Sequence, residues 1–193
     1  YGTWGQIMIT QGFIRSAVFM LAVGAVLTLD IITGDFFSER LGIIPRSLSG
    51  IDGILCSPLL HADFGHYISN LFPMVILLGL LFSNQSYKPW RSLILIWFLS
   101  GVGTWIIGRA GSNHIGASGV IFGLVTFLST ASFFLRSWVS AIISGAVLFL
   151  YQGILFGALP PIINSNMAEN ISWEAHLSGA IGGVIAAWGI RKK

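Results

Sequence analysis

Long apolar stretches alternate with short polar connections along most of the 193 residues of the chain. A helix needs about 20 apolar residues to cross a bilayer, and six stretches approach that length. The pattern therefore predicts six membrane-spanning helices, over residues 14–32, 64–82, 90–107, 118–135, 138–159 and 173–190. Tryptophans begin the third, fifth and sixth of these stretches, which is typical of anchors at the membrane interface.

The connection of residues 33–60 differs from the other connections because it is long and mixed in polarity. Glycine and proline interrupt it too often for a further span. Its charged residues alternate with apolar ones such as Phe36 and Ile43, which indicates a segment that lies in the membrane interface. No internal repeat and no appended soluble domain is apparent, so we expect a single transmembrane domain over residues 1–193.

The composition agrees with a membrane protein, since 54% of the residues are hydrophobic and 9% are charged. A soluble domain carries roughly 25% charged residues. The formal net charge of +3 does not indicate nucleic-acid binding, because the basic residues stand at segment ends and form no patch.

The basic residues also predict the orientation of the chain. In the six-span arrangement one side carries Arg15, Lys88, Arg91, Arg136, Arg191, Lys192 and Lys193, and the other side carries Arg40, Arg46 and Arg109. Cytoplasmic loops carry the excess of Lys and Arg, so both termini are expected in the cytoplasm.

The first candidate for chemistry is Ser118, which begins the fourth predicted span within Gly116-Ala117-Ser118-Gly119. Glycine lets another backbone approach closely and leaves room beside the hydroxyl. The six-span arrangement brings polar side chains from three spans to one depth near the outer surface: Ser118, His176, His61, His66 and Asn70. Ionisable residues in a span are costly, and each is a functional hypothesis by default.

The spacing of small residues pairs Ser118 with His176. Gly179 and Gly183 share a helix face with His176, and Gly119 adjoins Ser118, so the two helices can pack closely. This packing predicts a hydrogen bond of about 3 Å from the hydroxyl to the imidazole, as a base for the weakly nucleophilic serine requires. The alternative is a buried histidine that is bonded to a carbonyl within a packed helix pair.

Two further groups complete the candidate chemistry. Glu174 lies on the opposite helix face from His176, so we expect a Ser-His dyad without a carboxylate. Acyl transfer needs donors for an oxyanion, and the side chains of His66 and Asn70, with the free Ser118 amide, can donate. The alternative for His66 and Asn70 is polar contact between helices.

Two other residues are candidates for a direct role. His114 lies in the loop before Gly116 and either takes part in the chemistry or packs that turn. Cys56, five residues before His61, is a candidate nucleophile in type, although nothing nearby would hold a thiolate and packing is the alternative.

Together these residues resemble the rhomboid family of intramembrane serine proteases. The matching motifs are Gly116-Ala117-Ser118-Gly119, Ala175-His176 with Gly179 and Gly183, and His61-x4-His66-x3-Asn70, in the family's order and on its second, fourth and sixth spans. The resemblance implies that Ser118 is the nucleophile, that His176 is the general base, and that His66 and Asn70 complete the oxyanion hole. It also implies that Phe122 packs on the histidine ring. In the family, a Trp-Arg pair often structures the first outer loop. The corresponding connection here, residues 33–60, contains no tryptophan.

The resemblance implies an all-α, six-helix intramembrane serine endopeptidase that needs neither cofactor nor metal. Its partners would be transmembrane protein substrates and the lipid bilayer, with no nucleic acid, and we expect the inner membrane of a bacterium because no transit peptide is visible. Two alternatives stay open. One is a catalytically inactive module of the same fold that binds transmembrane helices, and the other is a small transporter with a proton or ion path along His66, Asn70 and His176.

Overall fold

A computed structural model describes the backbone of residues 2–160 and 172–191, together with their side chains except those of residues 2–8 and 154. These parts of the chain are helical and contain no strand. The α-helices are α1 (Gly2–Ile32), α2 (Phe36–Leu41), α3 (Gly53–Cys56), α4 (Phe64–Phe82), α5 (Pro89–Ile107), α6 (Ser118–Leu135), α7 (Trp138–Leu155) and α8 (Trp173–Trp188). The sequence predicts a polar loop over residues 164–172, and this segment lies outside the described residues except for Ser172.

Among the described residues, four helices are long and apolar enough to cross a membrane: Ile9–Ile32 within α1, and α4, α5 and α6. α7 contains a shorter apolar segment, Trp138–Gly153, and α8 has 16 residues. All six predicted spans coincide with one helix each. The fifth ends earlier than predicted because a 3-10 turn follows α7 at Phe156–Ala158, and Leu159 is extended ahead of Pro160.

α6 is the central helix of the bundle. Of its span 67% is buried, against 28% to 39% for the other three long spans. It packs against α4, α5, α7 and α8, and its Leu124, Phe127 and Leu128 are fully buried. The other spans expose apolar side chains such as Leu21 and Ile94. A surface of this kind suits the hydrocarbon of a bilayer, so the chain is a multi-pass integral membrane protein.

Glycines bring α8 unusually close to α6. Gly179 and Gly183 of α8 lie directly against the carbonyl oxygens of Gly119 and Gly123 of α6, so a Cβ at either α8 position would overlap the α6 backbone. Thr126 of α6 adds a hydrogen bond of 2.8 Å from its hydroxyl to a carbonyl oxygen on α8. This contact places the first turns of both helices side by side.

Residues 33–60 pack against the end of the bundle at which α6 begins, called here the Ser118 end. Arg46 Nη1 donates to two carbonyl oxygens at the end of α5, at 2.8 and 2.9 Å. The indole N–H groups of Trp97 and Trp105 donate to the carbonyl oxygens of Leu55 and Ser47, each at 3.0 Å. The connection has no tryptophan of its own, and α5 supplies the tryptophans that hold it.

Candidate active site

Ser118 and His176 form a hydrogen bond between α6 and α8. The distance from Ser118 Oγ to His176 Nε2 is 2.9 Å. The other ring nitrogen, Nδ1, lies 3.0 Å from the carbonyl oxygen of Gly157. A carbonyl oxygen can only accept, so Nδ1 carries the proton and Nε2 accepts from the serine hydroxyl. The sequence offered two partners for His176, the Ser118 hydroxyl or a backbone carbonyl. The ring contacts both, the hydroxyl at Nε2 and the Gly157 carbonyl at Nδ1.

The face of the His176 ring is held by Phe122. The two rings are stacked, with 4.0 Å between centroids and 8° between planes. Phe122 is one helical turn after Ser118, and both rings are buried. Since the ring is fixed on one face and at Nδ1, its Nε2 has a defined direction toward the hydroxyl.

Gly116 and His66 meet beside the loop that leads to Ser118. Gly116 has a φ of +113°, a conformation that L side chains rarely adopt, and a Cβ there would lie 2.6 Å from the His66 ring. The Gly116 amide donates to the carbonyl oxygen of Ser57 at 2.9 Å. Glycine is therefore required at this position for both backbone conformation and space.

Asn70 is buried in α4, and its side chain is bonded within that helix. Asn70 Nδ2 donates to the carbonyl oxygen of His66 at 2.8 Å. An amide nitrogen carries two N–H groups, so one remains for another acceptor. The His66 ring thus lies against Gly116 in the loop before Ser118. The described hydrogen bond of the Asn70 side chain is to the carbonyl oxygen of His66.

His61 lies behind His66 and is 1% exposed. Its ring makes edge contacts with His66 and Tyr67, at centroid distances of 5.0 and 5.7 Å. The backbone of Leu59 also interacts with the ring. Burial, together with the nearby His66, lowers the pKa of His61 to about 4, so the ring is neutral at pH 7.

His114 connects the loop before α6 to the beginning of α8. Its Nδ1 lies 2.6 Å from the hydroxyl of Ser172, which caps α8 by accepting from the Ala175 amide at 3.3 Å. Its Nε2 lies 2.8 Å from the hydroxyl of Ser112. Burial lowers the pKa of His114. Both ring nitrogens therefore hold the loop and the beginning of α8, which favours a packing role for His114.

Glu174 provides a second connection between the loop before α6 and the beginning of α8. The sequence did not predict this contact. Its side chain is 1% exposed, and its Oε1 lies 3.1 Å from Nε of Arg109. We call the His114–Ser172 and Arg109–Glu174 contacts together the clasp. A carboxylate in an apolar segment needs a cation nearby, and Arg109 is one of three basic residues at this end, so the signal was present in the sequence.

Cys56 is half-buried, and burial followed by the charge of Asp52 raises the pKa of its thiol. The thiol form therefore dominates at neutral pH, which argues against a nucleophilic cysteine. Within the described parts of the chain, no group of three or more His, Cys, Asp or Glu side chains could hold a metal ion.

A small cavity, lined by both polar and apolar groups, adjoins Ser118. Its volume is about 20 Å³, and Ser57, Ser100, Thr104 and His114 contribute to its lining. A space of this size accepts one water molecule where polar partners are present.

The fold and the site define a multi-pass, all-helical membrane protein with a buried serine-histidine pair between two helices. A model of the Rhomboid domain matches residues 50–193, and the chain belongs to the rhomboid family.

Three relatives illustrate the similarity. An uncharacterized protein of Mycobacterium bovis is 42% identical over 153 residues, which cover 76% of this chain and 62% of that protein. An uncharacterized protein of Mycobacterium leprae is 38% identical over 143 residues, 70% of this chain and 55% of that protein. Rhomboid-like protein 11, chloroplastic, of Arabidopsis thaliana is 26% identical over 141 residues, 68% and 50% respectively. The chain spans between half and two thirds of the length of these relatives.

Proposed function

We propose that the protein is an intramembrane serine endopeptidase that cleaves transmembrane segments of membrane-protein substrates. The observation that carries this proposal is the hydrogen bond of 2.9 Å from Ser118 Oγ to His176 Nε2. It joins side chains from two helices, and the Gly157 carbonyl at Nδ1 leaves Nε2 free to act as the acceptor.

In the first half of the reaction, Ser118 Oγ attacks the scissile carbonyl carbon as its proton passes to His176 Nε2. The imidazolium that forms is stabilised at Nδ1 by the Gly157 carbonyl oxygen. The tetrahedral intermediate then collapses, the C–N bond breaks, and the leaving amine takes the proton from Nε2. An ester between Ser118 and the acyl half of the substrate remains.

In the second half, a water molecule attacks the ester carbon and gives its proton to Nε2. The C–O bond to Ser118 breaks, Oγ takes the proton back, and a carboxylic acid leaves. The cavity of about 20 Å³ beside Ser118, with its hydroxyl groups, supports this step, since hydrolysis inside a membrane protein needs a place for water.

Three donors are proposed for the oxyanion of each intermediate. The Ser118 amide is free because it belongs to the first residue of α6. The ring of His66 lies at Gly116, two residues from Ser118, and the second N–H of Asn70 is not used by its bond to His66. Donors in a site of low dielectric stabilise such charge strongly.

The substrate must expose a peptide bond, which a helix keeps in its own hydrogen bonds. Segments with glycine or other helix-destabilising residues near the active-site depth should therefore be cut preferentially. The small residues around Ser118 favour a small side chain before the cleaved bond.

We further propose six spans within one domain and both termini in the cytoplasm. α7 and α8 measure about 27 and about 24 Å at 1.5 Å per residue, close to the hydrocarbon thickness of a bilayer. The basic residues favour this orientation, and mycobacterial relatives support a bacterial inner membrane.

The test is cleavage of a transmembrane substrate by purified wild type, Ser118→Ala, His176→Ala and the double variant. Each single variant should lose activity, and the losses should not add because the two residues act as a unit. Ser129→Ala, which removes another buried serine from α6, is the control and should cleave normally. Turnover by Ser118→Ala would exclude the mechanism, and inactive wild type would favour a helix-binding module. Ion flux that persists in Ser118→Ala proteoliposomes would favour a transporter.

A further inference from the structure

A crevice of about 70 Å³ lies between α1 and α5, and apolar atoms form almost all of its surface. Phe19 of α1 and Trp97 of α5 meet across it edge to face, at a centroid distance of 6.1 Å. Leu78 of α4, Leu93 of α5 and Val120 of α6 complete the walls. Since α1 and α5 are both candidate spans, the crevice lies at membrane depth, where hydrocarbon chains are the surrounding solvent.

Arg15 also lines this crevice, although it lies inside the apolar span Ile9–Ile32. Among the side chains that the structure describes, no hydrogen-bond or ion-pair partner of Arg15 is found. A charged residue within a span is costly, and its partner is normally a group of opposite charge.

The mouth of the crevice lies at the end of the bundle opposite the Ser118 end. Gly12, three residues before Arg15, packs against Gly79 and Phe82 near the end of α4. Trp90, in the first turn of α5, lines the crevice and is 61% exposed, as a tryptophan at the membrane interface is. The long side chain of Arg15 can therefore extend to the level of the lipid headgroups.

The charged residues around the mouth of the crevice indicate which lipid headgroup would bind there. The acidic residues that the structure describes all belong to the Ser118 end or to the segments that pack there, whereas the opposite end carries Lys88, Arg91, Arg136 and Arg191 besides Arg15. Basic pockets between transmembrane helices bind anionic headgroups. From Trp90 to Trp97 the crevice follows α5 for about 10 Å, which accommodates part of an acyl chain.

We propose that this crevice binds an anionic phospholipid, with one acyl chain between α1 and α5 and its phosphate on Arg15. A chain in this position contacts Val120, two residues after Ser118 on the central helix. The site is separate from the Ser118–His176 pair, so its existence does not depend on the proposed protease activity.

The test is native mass spectrometry of the full chain in detergent with phosphatidylglycerol or phosphatidylcholine added. Wild type should retain phosphatidylglycerol more strongly, and Arg15→Leu should weaken that binding about fivefold, the effect of one basic residue near a headgroup. Arg191→Leu makes the same charge change away from the crevice and should bind as wild type. Equal losses in Arg15→Leu and Arg191→Leu, or equal retention of both lipids by wild type, would overturn the site.

A second pair of variants tests the acyl chain. Leu93→Trp fills the crevice and should weaken the binding of both lipids, whereas Ile94→Trp, on the neighbouring exposed position, should not. Glycerophosphoglycerol and inorganic phosphate, which have no chains, should fail to displace the lipid. Displacement by either at equal concentration would overturn the crevice as the binding site. Arg15 is exposed, so Arg15→Leu should fold and still tests the lipid site if Leu93→Trp does not fold.

Discussion

Glu174 Oε1 lies 3.1 Å from Arg109 Nε, and this ion pair ties the first turn of α8 to the loop that leads to Ser118. Together with the bond between His114 and Ser172, it sets the position of the helix that carries His176. The serine-histidine distance therefore depends on contacts outside the pair itself.

The first prediction concerns this ion pair. Glu174→Gln should lower kcat with little change in KM, because a displaced His176 impairs proton transfer more than substrate binding. A double-mutant cycle with Arg109→Gln, measured by unfolding, should give a coupling of about 0.5 to 3 kcal/mol, toward the lower value because the Arg109 side chain is 47% exposed. Additive effects on unfolding and unchanged kcat would show that the clasp does not position α8.

The second prediction separates oxyanion stabilisation from helix packing at Asn70. If its second N–H donates to the oxyanion, Asn70→Ala should lower kcat on the order of 10²-fold with little change in Tm. If Asn70 instead stabilises helix contacts, the variant should lose about 0.6 kcal/mol of stability, and activity should fall only with unfolding. His66→Ala should resemble Asn70→Ala, and the double variant should lose less than the product. A stable and nearly fully active Asn70→Ala protein would remove Asn70 from the mechanism.

The third prediction is a dependence of stability on pH that arises from His61. The folded state holds its pKa at about 4, below the ordinary value of 6.5, because burial disfavours the charged ring. Between these values the unfolded chain binds the proton and the folded chain does not, so stability is full above pH 6.5 and falls as the pH drops toward 4. The slope reaches about 1.4 kcal/mol per pH unit for one such histidine.

His61→Gln should make this slope shallower, as measured by thermal unfolding in detergent from pH 4 to 7.5. Part of the slope should persist because burial also lowers the pKa of His114. An identical slope in wild type and His61→Gln would contradict the assignment.

The fourth prediction concerns orientation. In a Cys56→Ser background, a cysteine at the exposed position Ala110 should react with an impermeant maleimide added to intact cells, and one at exposed Ser86 should not. The distribution of Lys and Arg motivates this expectation. Reaction at Ser86 and protection at Ala110 would reverse the proposed orientation.

The sequence predicted the helices well because each apolar stretch is bounded by strong signals. Residues 64–82 and 118–135 match α4 and α6 at both ends, and small residues at Gly119 and Gly179 indicated the close contact between α6 and α8. These features are local or periodic, so they can be recognised in a single sequence.

Apart from the Arg109–Glu174 ion pair, the missed features depend on backbone groups that no side-chain pattern encodes. The Gly157 carbonyl that bonds His176 belongs to a 3-10 turn after α7, and its position follows only from the fold. Asp30 stands near the end of the first predicted span, yet it is 2% exposed and accepts from the amides of Phe37 and Ser38 at 2.7 and 3.1 Å. The same holds for the indoles of α5 that bind the connection of residues 33–60.

In the proposed mechanism, His176 activates Ser118 as a nucleophile. A fluorophosphonate probe reacts only with an activated serine, so the most direct measurement is labelling of the purified chain followed by peptide mass spectrometry. We expect one modified residue, Ser118, in wild type and in Ser129→Ala, with labelling lost in Ser118→Ala and strongly reduced in His176→Ala. Unlabelled wild type that is folded, or labelling that is unchanged in His176→Ala, would contradict it.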